Sequence, residues 1–248
     1  MLILISPAKS LDFESSFNCK IASTPKFEKE AEKIASELKK FSITDLQELQ
    51  KISPKLAELN FERWKNFKNN EARQALLAFD GDVYEGIEKE KFSEKDFKFA
   101  QEHLRILSGL YGLLRPLDLI KPYRLEMGTD FKKFKFLTKN LYEFWGNKIA
   151  KELENIEASS IVNLASEEYF AAIEVKKITK PIINISFKEK KNDALKIIGI
   201  NAKKARGLMT NFAIRNKISD VEKLKEFTLE NYHFAEKLSD ELNWVFVR

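Results

Sequence analysis

The 248-residue chain contains one cysteine, Cys19, and two histidines, His103 and His233. A single thiol excludes an internal disulfide, and such sparing use fits a reducing, cytoplasmic setting. Two imidazoles far apart in sequence and one thiol do not supply the clustered ligands of a zinc site. Soft and imidazole donors are also too few for an iron store, so no metal and no cofactor are expected; carboxylates alone are left as donors. Long apolar runs are missing as well. The opening MLILISPAKS has five apolar residues before Ser-Pro and no basic leader, which reads as neither a signal peptide nor a membrane span. Repeats, low-complexity tracts and linkers are absent, which predicts one domain over residues 1–248. Glycine and proline are scarce, at 8 and 6 residues, so their clustering carries information.

Apolar residues make up 44% of the chain and aromatics 12%, enough for a large core. Forty-three bases against 38 acids give a net charge of +5 and a pI near 9.0, a mild bias toward an anionic partner. Clustering says more than that total. Five of the eight glycines fall between Gly81 and Gly128, and Leu104–Gly128 holds Arg105, Arg115 and Arg124 with one lysine, Lys121. A guanidinium fork suits bidentate contact with phosphate or carboxylate in a way an ammonium does not. Pro116 and Pro122 fix extended or turn geometry at Arg115 and Lys121. The bland alternative is that LSGLYGLLRPLDL forms a buried helix and a turn, with its arginines capping or bridging.

In chain order, Leu2–Ser6 predicts a buried strand followed by a polar loop with Lys9 and Asp12 as candidates. Phe27, Ala31, Ile34, Leu38 and Phe41 mark one face of an amphipathic helix. Thr44 with Gln47 predicts a capping box, and Ser53-Pro54 an N-cap with proline at the first helical position, so two short helices should meet at Ile52–Pro54. That pair resembles a helix-hairpin-helix, which can present backbone amides to a DNA phosphate, although its usual glycines are missing. A helix is expected over Glu71–Ala78. After it, FDGDVYEG can be a turn, a cation site or a general acid/base pair, but it lacks the ligands of a calcium loop. Further helices are expected from Ser93 to Leu104 and over Leu141–Leu153, a second buried strand over Ile161–Ala165, and a helix capped by Ser166. Pro181 should start a β-hairpin of Ile182–Phe187, a turn over Lys188–Asp193 and Leu195–Asn201. Ala202–Asn216 reads as a helix in which Lys203, Arg206 and Thr210 share a face, a compact anion site if not simply solvated. Tyr232–Phe234 and Trp244–Val247 should close a hairpin or sheet edge.

Six segments, ISPAKSLDF, LAFDGDVYEG, LRILSGLYGLLRPLDLIKPYRLEMG, LYEFWG, VNLASEEYF and AKKARGLMTNFAIRN, resemble the YaaA family of bacterial peroxide-stress proteins, in order from residue 1 to about 215. The resemblance implies a single α+β domain: a mixed β-sheet surrounded by helices, with a helix-hairpin-helix-like element and a positively charged cleft. It further implies a cytoplasmic protein of hydrogen peroxide resistance that limits free-iron damage and binds DNA. Carried over by position, the hairpin falls on Ile43–Trp64 and the cleft on Lys9, Arg115, Arg124, Lys203, Lys204 and Arg206.

Two functional classes follow. One is a binder of double-stranded DNA, or another phosphate-bearing ligand, through those cations. The other is an enzyme acting on a nucleotide, nucleobase or nucleic acid, with Ser6, Asp82, Tyr84, Tyr123, Glu126 and Asn163 converging beside the same arginines.

Overall fold

A computed structural model describes residues 1–17, 19–192 and 194–248. Among them, eight strands form one mixed sheet: β1 (Leu2–Ile5), β2 (Leu104–Ser108), β3 (Gly112–Leu114), β4 (Ile161–Asn163), β5 (Ile182–Lys191), β6 (Ala194–Lys196), β7 (His233–Phe234) and β8 (Asn243–Val247). The spatial order is β7-β8-β5-β4-β1-β2-β3, with β6 paired to β5. The five strands β8, β5, β4, β1 and β2 run parallel, and β3, β6 and β7 are antiparallel additions.

Every residue of β1 is buried, as an all-apolar strand covered on both faces requires. Each such aliphatic side chain contributes about 1.5–3 kcal/mol of burial free energy. The helices around the sheet are α1 (Glu28–Leu38), α2 (Ile43–Gln50), α3 (Pro54–Lys65), α4 (Ala75–Ala78), α5 (Asp82–Ile87), α6 (Glu94–His103), α7 (Leu141–Trp145), α8 (Lys148–Asn155), α9 (Glu167–Phe170) and α10 (Gly199–Arg215). The α+β single-sheet architecture agrees with expectation. In α1, Ala31, Ile34 and Leu38 are fully buried, as their spacing demands.

Several local expectations need correction. The capping box of α2 is Ser42 with Asp45, two residues before the Thr44–Gln47 pair; side-chain caps of this kind contribute about 1 kcal/mol. Ser53 does cap α3, with Pro54 in its first turn, so the two helices meet where expected. Their connection is a tight αα-hairpin. The Lys51 and Ile52 amides both donate to the Gln47 carbonyl, so neither is free for a phosphate as a helix-hairpin-helix would require.

Only Ala75–Ala78 of the expected Glu71–Ala78 helix is helical; Arg73–Gln74 instead pairs antiparallel with Leu119–Ile120. The acidic FDGDVYEG stretch forms a helix from Asp82, not a turn. The focal LSGLYGLL stretch is the β2–β3 hairpin rather than a buried helix. Its turn needs Gly112 at φ 67°, where any Cβ would strike the Trp145 ring at 2.7 Å. Leu141–Leu153 splits into α7 and α8 at Gly146. β5 continues to Lys191, so most of the expected charged turn is strand, and Asp193 lies outside the described residues. Because α10 begins at Gly199, the strand expected to reach Asn201 ends at Lys196, and Lys203 and Lys204 lie one turn into the helix.

Candidate functional site

The chain leaves β1, passes to β2 on one side and later returns to β4 on the other. That reversal opens a crevice at the carboxyl ends of the central parallel strands, where open α/β sheets bind ligands. Three segments meet there: residues 6–9 after β1, 164–169 after β4, and 123–128 after the β2–β3 hairpin. The first two are stitched by serines. Ser6 Oγ accepts from the Ser166 amide at 2.8 Å and lies 3.2 Å from Ser166 Oγ. Ser166 is thus spent on Ser6 and makes no side-chain cap for α9. The third segment is tied in by Gly128, whose amide donates to Glu168 Oε1 at 2.8 Å. Gly109 supports it from below, since a Cβ there would sit 2.5 Å from the Leu125 carbonyl oxygen.

Of the expected site residues, Ser6, Lys9, Tyr84, Tyr123, Arg124 and Glu126 gather at this crevice. Lys9 Nζ contacts Glu126 Oε2 at 2.7 Å, and Arg124 Nη2 reaches Glu126 Oε1 at 3.4 Å. Tyr84 donates to the Ser6 carbonyl at 3.0 Å, and Tyr123 shares a 2.6 Å hydrogen bond with Ser108. Burial pushes the phenols of Tyr84, Tyr123 and Tyr169 well above their ordinary values, with the phenols acting on one another in the same direction. All three stay protonated at neutral pH and serve as donors or packing surfaces, not as bases.

Asp82 is joined to the crevice through Gly81, where a Cβ would lie 3.5 Å from Ala8 Cβ. Its carboxylate pairs with Lys203 at 3.5 Å. Arg206 is largely buried one turn further along α10. Burial lowers its guanidinium from the ordinary value, and Glu167 partly offsets this. Arg206 thus acts near Glu167 of α9, and Arg124 shares a cavity wall with Glu168 of the same helix. In each arginine the Nε is buried without a hydrogen-bond partner among the described residues.

A cavity of 560 Å³ opens beside Arg124, walled by Gln50, Lys51, Glu126, Thr129, Lys133 and Glu168. The αα-hairpin borders it directly, because Gln50 Nε2 donates to the Arg124 carbonyl at 2.7 Å. On the other side lies a 750 Å³ groove lined by Asp12, Ser15, Arg63 and Asp80. Burial lowers the Arg63 guanidinium from its ordinary value, and the charge of Arg124 acts in the same direction.

Two expected residues, Arg115 and Lys204, stand apart. Arg115 is bound to Asp118 at 3.0 Å and to the Thr24 carbonyl, at the opposite end of the sheet, because β3 carries the chain back along β2. Lys204 joins a separate cluster with Glu230 and Arg248. Asn163 shapes the crevice from behind: its Oδ1 accepts from the Ala165 amide while its Nδ2 donates to Asn184. Asp12 holds its own turn through Glu14 and Ser15 and pairs with Arg73, so it is not a helix cap.

Sequence reasoning named Ser166 only as a helix cap, which it is not, and did not single out Arg63 or Glu168. The only signal for Ser166 and Glu168 as site residues was their place directly after a buried strand. Among the described residues no group of three or more histidine, cysteine, aspartate or glutamate side chains is set to hold a metal. No helix there is long and apolar enough to cross a membrane.

A family model described as peroxide stress protein YaaA matches residues 1–238. A UPF0246 protein of Clostridium beijerinckii is 51% identical, with 100% of this chain and 98% of the relative covered. Another from Acaryochloris marina is 48% identical over 254 residues and covers both chains completely. A third, from Colwellia psychrerythraea, is 44% identical over 256 residues, with 100% and 99% covered. With the model matching nearly the whole sequence and relatives near half identity from end to end, the chain belongs to the YaaA family of peroxide stress proteins, the UPF0246 proteins.

Proposed function

We propose that this peroxide-stress protein acts in the cytoplasm by binding duplex DNA across the switch-point crevice, and that occupancy of the DNA limits damage driven by free iron. The observation that carries this reading is the pair Arg124 and Arg206 beside α9, whose Nε atoms lack partners among the described residues. A buried N–H donor without an acceptor costs about 1–3 kcal/mol, which a phosphate oxygen would recover. Lys9, Lys133 and Lys203 surround them with exposed side chains. The acids interleaved there do not defeat the reading. Lys9 and Lys203 are exposed and their partners Glu126 and Asp82 half-buried, and pairs near the surface are worth only about 0–1 kcal/mol, so a phosphate can compete for the two ammonium groups at small cost.

The bordering αα-hairpin extends the track through Lys51, beside Lys133, which pairs with Glu48 of α2. Contacts of this type position a backbone and carry little sequence information, so binding should be sequence-poor and steeply salt-dependent. Anisotropy titrations of a labelled duplex at several salt concentrations test this. Affinity indifferent to salt would refute it.

One observation favours a second reading, an enzyme acting on a nucleotide, nucleobase or nucleic acid in the same crevice. Tyr84, Tyr123 and Tyr169 form a buried aromatic wall behind Ser6 and Glu126, an apolar lining with a few convergent polar groups. Loss of turnover on a small nucleobase compound in Glu126→Gln, with duplex affinity intact, would transfer the site to that reading.

A further inference from the structure

The crevice leaves Arg105 and Arg115 unaccounted for. In the β2–β3 hairpin Ile106 stands opposite Leu114 and Leu107 opposite Leu113, so the same register sets Arg105 opposite Arg115 on one face. Like charges directly opposed across two strands destabilise the pairing. Of the two, Arg115 alone has a direct ion pair among the described residues, while Asp118 and Glu152 favour the Arg105 charge only from a distance. Asp118, almost fully buried, accepts from Arg115 Nε at 3.0 Å, from the Arg115 amide at 2.8 Å and from Ser23 Oγ at 2.7 Å. Arg105 is 9% exposed and spends Nη1 on the carbonyls of Gln101 and Leu104. No carboxylate among the described residues comes within ion-pairing distance of it. Burial first and Arg115 second push its guanidinium down to about 10.

Both arginines line a 270 Å³ cavity with Lys26 and Glu152, which pair with each other at 3.5 Å. Three cations there face two carboxylates, one of them already saturated. The geometry points to a second anion site at Arg105, Arg115 and Lys26, separate from the crevice, that takes a small phosphate group. The cavity lies just under the roughly 300–1,000 Å³ of drug-sized ligand pockets, so the occupant is small. The guanidinium donors of Arg105 and Arg115 not spent on carbonyls and Asp118, with the exposed Lys26 ammonium, suit a phosphate dianion better than a single charge. This inference does not depend on DNA binding.

The test is isothermal titration of the full-length protein with sodium phosphate, against sodium chloride at matched ionic strength. Wild type, Arg115→Gln, Lys26→Gln and Arg124→Ala are compared, and the same four are titrated with a duplex. Lys26 is largely exposed, so its variant keeps the core intact, while Arg115→Gln leaves the buried Asp118 a neutral donor and is checked for fold by circular dichroism before titration. Phosphate binding should weaken at least roughly tenfold in Arg115→Gln, as expected for losing one charge-assisted contact, and should survive in Arg124→Ala. Duplex affinity should follow the reverse order. The proposal fails if wild type does not bind phosphate or if Arg115→Gln and Lys26→Gln both bind it normally. It also fails if Arg124→Ala abolishes phosphate binding, or if Arg115→Gln weakens the duplex as much as Arg124→Ala does, since the cavity would then belong to the nucleic-acid path.

Discussion

Gly207 of α10 lies so close to Val83 of α5 that a Cβ at 207 would stand 1.9 Å from the Val83 carbonyl oxygen. Gly86 faces the same crossing, where a Cβ would meet the Lys204 carbonyl at 2.5 Å. The two helices touch backbone to backbone, and this contact brings Asp82 to Lys203 at the crevice mouth.

Gly207→Ala should therefore destabilise the protein by about 1–3 kcal/mol or more, the cost of overpacking where backbone must move. Gly199→Ala, in the same helix with nothing within 4 Å, should be neutral or stabilising by up to about 1 kcal/mol. Urea midpoints of both variants check the contrast. Equal midpoints would mean that the crossing is slack.

Replacing Arg124 or Arg206 by alanine should weaken duplex binding by about 1–3 kcal/mol and flatten its salt dependence while the fold is kept. Arg115→Ala should leave both unchanged, because β3 takes that residue to the far end of the sheet. Titrations with circular dichroism on each variant decide the matter. Unaltered affinity and slope in folded Arg124 and Arg206 variants would remove them from the DNA path.

Asp96 gives a pH prediction. Burial alone would raise its carboxyl, but hydrogen bonds and charge from Lys217, with the Ser93 hydroxyl and amide, outweigh it and hold it at about 2. Arg215 adds a 2.9 Å ion pair. The unfolded carboxyl titrates near 3.9, so the folded value is the depressed one. The resulting stability, on the order of 2 kcal/mol, is fully present above about pH 4 and disappears as pH falls toward 2. Asp96→Asn should lose it at neutral pH, and its stability should change less than wild type's between pH 4 and 2. Parallel acid-unfolding curves for the two proteins would contradict this.

Purified protein should carry no stoichiometric iron or zinc, given one cysteine, two histidines and the lack of a clustered ligand set among the described residues. Elemental analysis returning about one tightly held transition metal per chain would overturn the expectation and revive direct iron sequestration.

How far the sequence was legible follows from what each signal depends on. Leu2–Ile5 and Ile161–Asn163 are short apolar runs bounded by breakers, and Ser53-Pro54 and Ser93 are caps; those elements are local and could be read directly. LRILSGLYGLL is as apolar as a buried helix, and periodicity cannot separate the two. Only the close fit of Trp145 over Gly112 reveals why the chain turns there. The grouping of Arg124 with Arg206, and the separation of Arg115 from both, depend on strand order, which no local pattern encodes. Thr44 and Ser42 are equally good caps by type, and tertiary packing of Leu46 and Leu49 selects the earlier one.

β1 sits in the middle of the sheet, yet its two neighbours begin at Leu104 and Ile161. During synthesis at roughly 5–20 residues per second, this all-apolar strand waits several seconds for its first partner and several more for its second. Until the first partner arrives both of its edges are open to pairing with other chains, and one edge stays open until the second. A nascent chain arrested before Ile161 has neither a closed sheet nor a ligand crevice, so assembly of the site and burial of the aggregation-prone strand are one late event in biogenesis.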